Sequence, residues 1–186
     1  MKKHRTHSKD EVLLLMNGVR ASFLYGFFID HLAWRKIPDV VAEMKGTFTF
    51  EGHNQSRTGL SLSFLAEQMK TQEKVVRGNF FLFLEFESIR FFYELVHGYC
   101  QSSGQSQVYA AAPWSQFARV LRNVVSHGDS AVLSQWPANL KKRGVTSVSW
   151  NGVTIRESDT GSMVGLDIVK IVELQEEIYN FTKGLK

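Results

Sequence analysis

The stretch Arg122-Asn123-Val124-Val125-Ser126-His127-Gly128-Asp129 sets a permanent cation, an amide and a titratable imidazole close together in the chain. A guanidinium carries a permanent charge on a planar fork, and an imidazole can take or deliver a proton near neutral pH. Such an imidazole beside a fixed cation suits acid-base work. On a straight helix, at about 100° per residue, Arg122 and His127 point roughly 140° apart and do not meet. If Gly128 adopts the left-handed cap conformation, His127 becomes the last helical residue and its ring can swing out. Asn123, four residues earlier, shares the face of His127 and can orient the ring. The C-terminus of a helix also favours the imidazolium form.

These residues need a helix to position them, and the sequence supplies one. Pro113 suits a first helical turn, and Trp114, Phe117, Val120, Leu121, Val124 and Val125 recur at the spacing of an apolar face, with Gly128 as the stop. A second set of ionisable residues lies on the apolar segment Lys74–Gln101. There Glu87, Arg90, Glu94 and His97 step by three, four and three, a single stripe on a helix otherwise rich in Phe, Leu and Ile. The stripe reads either as an exposed edge with internal ion pairs or as a face turned toward Arg122 and His127, with a glutamate orienting the arginine. Arg90 and His97 also form a looser Arg/His pair of their own.

Arg122, Asn123 and His127, an arginine followed by a polar residue with His at the fifth position after the arginine, resemble the Arg-x(4 to 6)-His motif of the HEPN superfamily. These are small helical-bundle proteins that include many prokaryotic RNases of toxin-antitoxin, CRISPR and other defence systems. The resemblance implies a metal-independent endoribonuclease whose site forms where two such motifs meet across a homodimer. It further implies RNA as substrate, 2′,3′-cyclic phosphate products, no cofactor and, in a toxin setting, an antitoxin protein as partner. It assigns the catalytic roles to Arg122, His127 and Asn123. The alternative within the same family is a catalytically silent module that binds RNA or protein. A helical scaffold without any nucleic-acid role is the alternative outside it.

Composition sets limits on all three. The 186 residues are enough for one domain with a substantial core, and 44% hydrophobic content with 14 Phe excludes a disordered chain. The net charge is only +4, and the pI near 9.2 permits RNA binding without demanding it. The single cysteine, Cys100, can form no internal disulfide, which fits a reducing cytoplasm. Cys and His show no zinc-ligand spacing, and no Walker loop, G-x-G-x-x-G or G-x-S-x-G occurs. Glu85, Glu87, Arg90 and Glu94 interrupt the Phe-rich run well short of the roughly 20 apolar residues needed to span a bilayer.

The remaining elements follow from periodicity and punctuation. Ser8-Lys9-Asp10-Glu11 is a capping box before a first long helix that buries Val12, Met16, Val19, Phe23 and Phe27 and ends near Trp34 to Lys36. Pro38 opens a short helix to Met44, Thr47 to Gly59 reads as a loop or brief extended piece, and Leu60 to Lys70 as another helix. Gln101 to Gln107 reads as a Ser/Gly/Gln linker. Lys141-Lys142-Arg143 forms a basic cluster that, in an RNase, can hold phosphates. It precedes Val145–Trp150, Asn151-Gly152 and Val153–Arg156, a two-residue hairpin signal. A final helix runs from about Val164 to Phe181. The expected architecture is therefore all-α: an up-and-down bundle of four or five main helices, in one domain spanning 1–186, with a β-hairpin inserted at about 145–157.

Overall fold

The computed structural model describes residues 7–36, 47–51, 57–61, 73–126 and 132–186. The chain is mostly helical, with a small antiparallel hairpin before the last helix. It divides into two compact units, Met1–Phe23 with Leu82–Lys186, and Leu24–Phe81.

The larger unit contains the functional candidates. Its first helix belongs to α1 (Lys9–Lys36), which the expected capping box opens. Ser8 N–H donates to Glu11 Oε2 at 2.9 Å, and Glu11 N–H donates to Ser8 Oγ at 3.2 Å. Val12, Met16 and Phe23 are fully buried on one side of this helix. α2 (Glu73–Ser102) presents Ile89, Phe92, Val96 and Cys100 to the core at the spacing of one helical face. The helix α6 (Ile168–Gly184), with Asp167 as its N-cap, buries Ile171, Leu174 and Ile178. Gln175 of α6, itself buried, donates to Ser88 Oγ of α2 at 2.8 Å, so one polar pair sets the register of two apolar faces. On the opposite flank Asn17 of α1 donates to the Tyr179 hydroxyl, and Arg20 pairs with Glu176.

Between α2 and α6 the chain builds the remaining elements. A turn at Ser103-Gly104 leads to the short helix α3 (Ser106–Ala111), and then to α4 (Ser115–Ser126). Trp114, Phe117, Val120, Leu121 and Val124 are all almost fully buried, as their spacing predicts. α5 (Ala138–Lys142) then precedes β3 (Ser147–Trp150) and β4 (Val153–Arg156). The hairpin registers Ser147 with Arg156 and Trp150 with Val153. Its turn residues Asn151 and Gly152 have φ of 44° and 80°, the left-handed values that a two-residue primed turn requires. Trp150 packs on Phe117 of α4, with ring centroids 5.7 Å apart, while its indole N–H donates to Glu177 of α6 at 2.6 Å. The excursion from α4 to α6 is closed at its neck by a bridge between Val132 and Met163, where Leu133 N–H donates to Ser162 O and Gly161 N–H to Leu133 O.

The smaller unit includes an antiparallel hairpin, β1 (Thr47–Glu51) with β2 (Arg57–Ser61), registered from Thr47 opposite Ser61 to Glu51 opposite Arg57. Of the two readings open for Thr47 to Gly59, loop or brief extended piece, the described residues are extended and pair as strands, the alternating Thr and Phe of the stretch outweighing its Gly and Asn. The expected helix from Leu60 is corrected at its start, where β2 takes Leu60 and Ser61. In the larger unit, the expected linker Gln101 to Gln107 is already helical again from Ser106, because Tyr109 is drawn into the core. The helix expected from Pro38 to Met44, and the rest of that from Leu60 to Lys70, lie outside the described residues.

Candidate phosphate and proton-transfer site

On α4 the buried residues occupy one face, and Arg119, Arg122 and Asn123 fall together on the other at the i, i+3, i+4 spacing. This polar face looks toward α2. Arg122 Nε donates to Glu94 Oε1 at 2.6 Å, a contact between residues 28 apart in sequence. Arg122 Nη1 meets Asn123 Oδ1 at 3.4 Å. With Glu94 on one nitrogen and Asn123 on another, the plane of the guanidinium is set before any ligand arrives.

The ionisable stripe of α2 divides in two. Glu87 and Arg90 satisfy each other, Glu87 Oε2 accepting from Arg90 Nε at 2.8 Å and from Nη2 at 2.6 Å, with the Arg90 guanidinium 5.0 Å from the Phe91 ring. Glu94 and His97 instead face α4. Arg90 and His97 therefore do not act as a pair, and the arginines that share a pocket with His97 are Arg119 and Arg122.

That pocket has a volume of ≈ 490 Å³ and lies among α2, α4 and α5. Its lining includes Glu94, His97, Arg119, Arg122, Asn123 and Lys142. The His97 ring is held by aromatic neighbours, stacked on Tyr93 at 5.5 Å and tilted against Tyr109 at 5.2 Å, with Nε2 3.3 Å from the Gln101 amide. Desolvation by burial pushes its pKa below the usual histidine value; Glu94 opposes this, and Arg119 and Arg122 reinforce it. Burial thus favours the neutral form of His97, whose ring is held in orientation beside Arg122. A second cavity, of ≈ 440 Å³ between α1 and α2, is lined by Leu14, Leu15, Phe23, Leu84 and Phe91 and offers only Glu87 as an ionisable group.

Of the residues singled out in the sequence, Arg122 and Asn123 are brought together, and Glu94 and His97 join them. His127 lies outside the described residues, as does Gly128. The basic run Lys141-Lys142-Arg143 is split by its short helix: Lys141 pairs with Glu157 at 3.3 Å, while Lys142 lines the pocket. Arg119 and Tyr93 were not marked by the motif. Arg119 was legible all the same, one helical turn before Arg122 on the same polar face. Among the described residues no group of His, Cys, Asp and Glu is arranged to hold a metal, and no helix is long and apolar enough to cross a membrane. Compared with protein-family models, curated proteins and solved structures, the chain gives no match.

Proposed function

We propose that the protein is a metal-independent endoribonuclease of the HEPN type, acting in the cytoplasm as a homodimer. In this reading the ribose 2′-hydroxyl attacks the adjacent phosphorus and the 5′-oxygen of the next nucleotide leaves, giving a 2′,3′-cyclic phosphate and a 5′-hydroxyl. Arg122 stabilises the charge that gathers on the non-bridging oxygens, His127 transfers a proton, and Asn123 positions groups around them. The observation that carries the reading is the Glu94–Arg122 ion pair beside Asn123 in a polar pocket, because it fixes the fork of the motif arginine where a phosphate can reach it. The same resemblance places the protein in a toxin-antitoxin or defence setting.

The test is RNA cleavage in EDTA by wild type, Arg122→Ala and His127→Ala, with the product ends identified. Wild type is expected to produce 2′,3′-cyclic phosphate ends, and each variant to lose at least about 100-fold in rate while remaining folded. Strict magnesium dependence, or equal rates in all three proteins, would sink the reading. RNA binding without cleavage would instead identify a catalytically silent binding module.

A further inference from the structure

We propose that Arg119 and Lys142 form a subsite for a second phosphate of the RNA backbone, next to the phosphate held at Arg122. The proposal rests on the RNase reading for the identity of its ligand, and on separate observations for the site itself. Arg119 comes from the polar face of α4 and Lys142 from the last turn of α5, so two elements converge on one pocket. Three permanently charged cations, Arg119, Arg122 and Lys142, line it against one carboxylate, Glu94, which Arg122 already engages. Neither Arg119 nor Lys142 has an ion-pair or hydrogen-bond partner among the described residues.

The neighbouring lysine supplies the contrast. Lys141 is more than two-thirds exposed and answers Glu157 across the hairpin base, the ordinary behaviour of a surface lysine. Lys142, one residue on, instead lines a concavity that already holds two arginines against one carboxylate. Gathering like charges there is unfavourable unless an anion takes a place among them. A phosphodiester fits: Arg119 can offer parallel N–H donors to two oxygens, and Lys142 a mobile point charge. A cavity of ≈ 490 Å³ lies within the roughly 300–1,000 Å³ range of ligand-sized pockets, and its wall bears the Tyr93 and His97 rings against which a nucleotide can lie.

The experiment measures binding of a fully 2′-O-methylated oligoribonucleotide, which cannot form the cyclic phosphate, by fluorescence anisotropy across a salt series. Arg119→Gln and Lys142→Gln are each expected to weaken binding about tenfold and to reduce the salt slope by about 0.7, the value for one single-strand phosphate contact. Lys141→Gln, from the same basic run but off the pocket, is expected to leave affinity close to wild type. Thermal unfolding of each variant confirms its fold. If the Arg119 and Lys142 variants bind like Lys141→Gln, the subsite is overturned, and cleavage by wild type still decides the RNase reading alone. If wild type cleaves nothing yet binds the oligonucleotide through Arg119 and Lys142, the subsite stands and the RNase reading falls. An absence of binding by wild type removes the subsite.

Discussion

Arg122 and Glu94 form an ion pair that contributes little to stability. Their side chains are 33% and 40% exposed, so solvent screening limits the pair to about 0–1 kcal/mol of folding free energy. Its value lies in orientation. Glu94→Gln is therefore expected to leave the unfolding temperature nearly unchanged and, on the RNase reading proposed above, to reduce RNA cleavage by about tenfold or more, since the Arg122 fork is no longer held. The same substitution removes the one charge that raises the His97 pKa, so the imidazole should titrate at a still lower pH than in wild type. Imidazole NMR signals followed through the titration check the sign; an upward shift would contradict the electrostatic arrangement described. At this scale the sequence disclosed residue types and spacings well. The α2 stripe was visible as a stripe, but the split between Glu87–Arg90 and Glu94–His97 was not, because it depends on which turn of α2 lies opposite α4. Arg119 was overlooked for a related reason: it belongs to a helical face, whereas the motif is read along the chain.

Among the elements, the packing of α2 beside α6 carries a pH dependence. Glu85 of α2 is half-buried and its pKa is raised to about 7, first by desolvation and then by the negative charge of Asp167, the N-cap of α6. The sign follows from linkage. A carboxyl group with a folded-state pKa above its unfolded value favours folding while protonated, and that contribution is lost as pH rises from about 4.5 to about 7. Glu85→Gln should thus stabilise the protein at pH 8 by on the order of 1 kcal/mol after allowance for solvent screening, with little gain at pH 5. Denaturant unfolding at the two pH values measures the difference. Elements announced by local chemistry were the legible ones: the Ser8/Glu11 box opening α1, the Asn151-Gly152 turn, the apolar face of α4. α3 was concealed because Ser, Gly and Gln surround it and only Tyr109 draws it inward. β1 and β2 were concealed because two short strands in a polar stretch differ little from an extended loop until they pair.

For the larger unit as a whole, Cys100 offers a single chemical reporter. It is the only cysteine in the chain, it is fully buried within α2, and burial pushes its thiol pKa up to about 11. Both the scarcity of thiolate and the lack of access suppress its reaction with a maleimide. Labelling is expected to be slow in the native protein and to rise with the loss of helical circular dichroism in denaturant; labelling well before that loss would reveal a separate opening of α2. The predominantly helical character and the late hairpin were recoverable from periodicity, since those features are local. The way Glu94, Arg122 and Lys142 converge was not, since it depends on contacts among three elements far apart in the chain. The neck at Val132 and Met163 has a further meaning for this arrangement. Because the two ends of the excursion are tied side by side, a change of length between them need not alter the spacing of its two ends. A replacement must still fill the place of Trp150 against Phe117 and the core positions of Leu133, Trp136, Leu140, Val148 and Ile155. Within those constraints the residue at position 142, which lines the pocket, can change independently of Arg122 on α4.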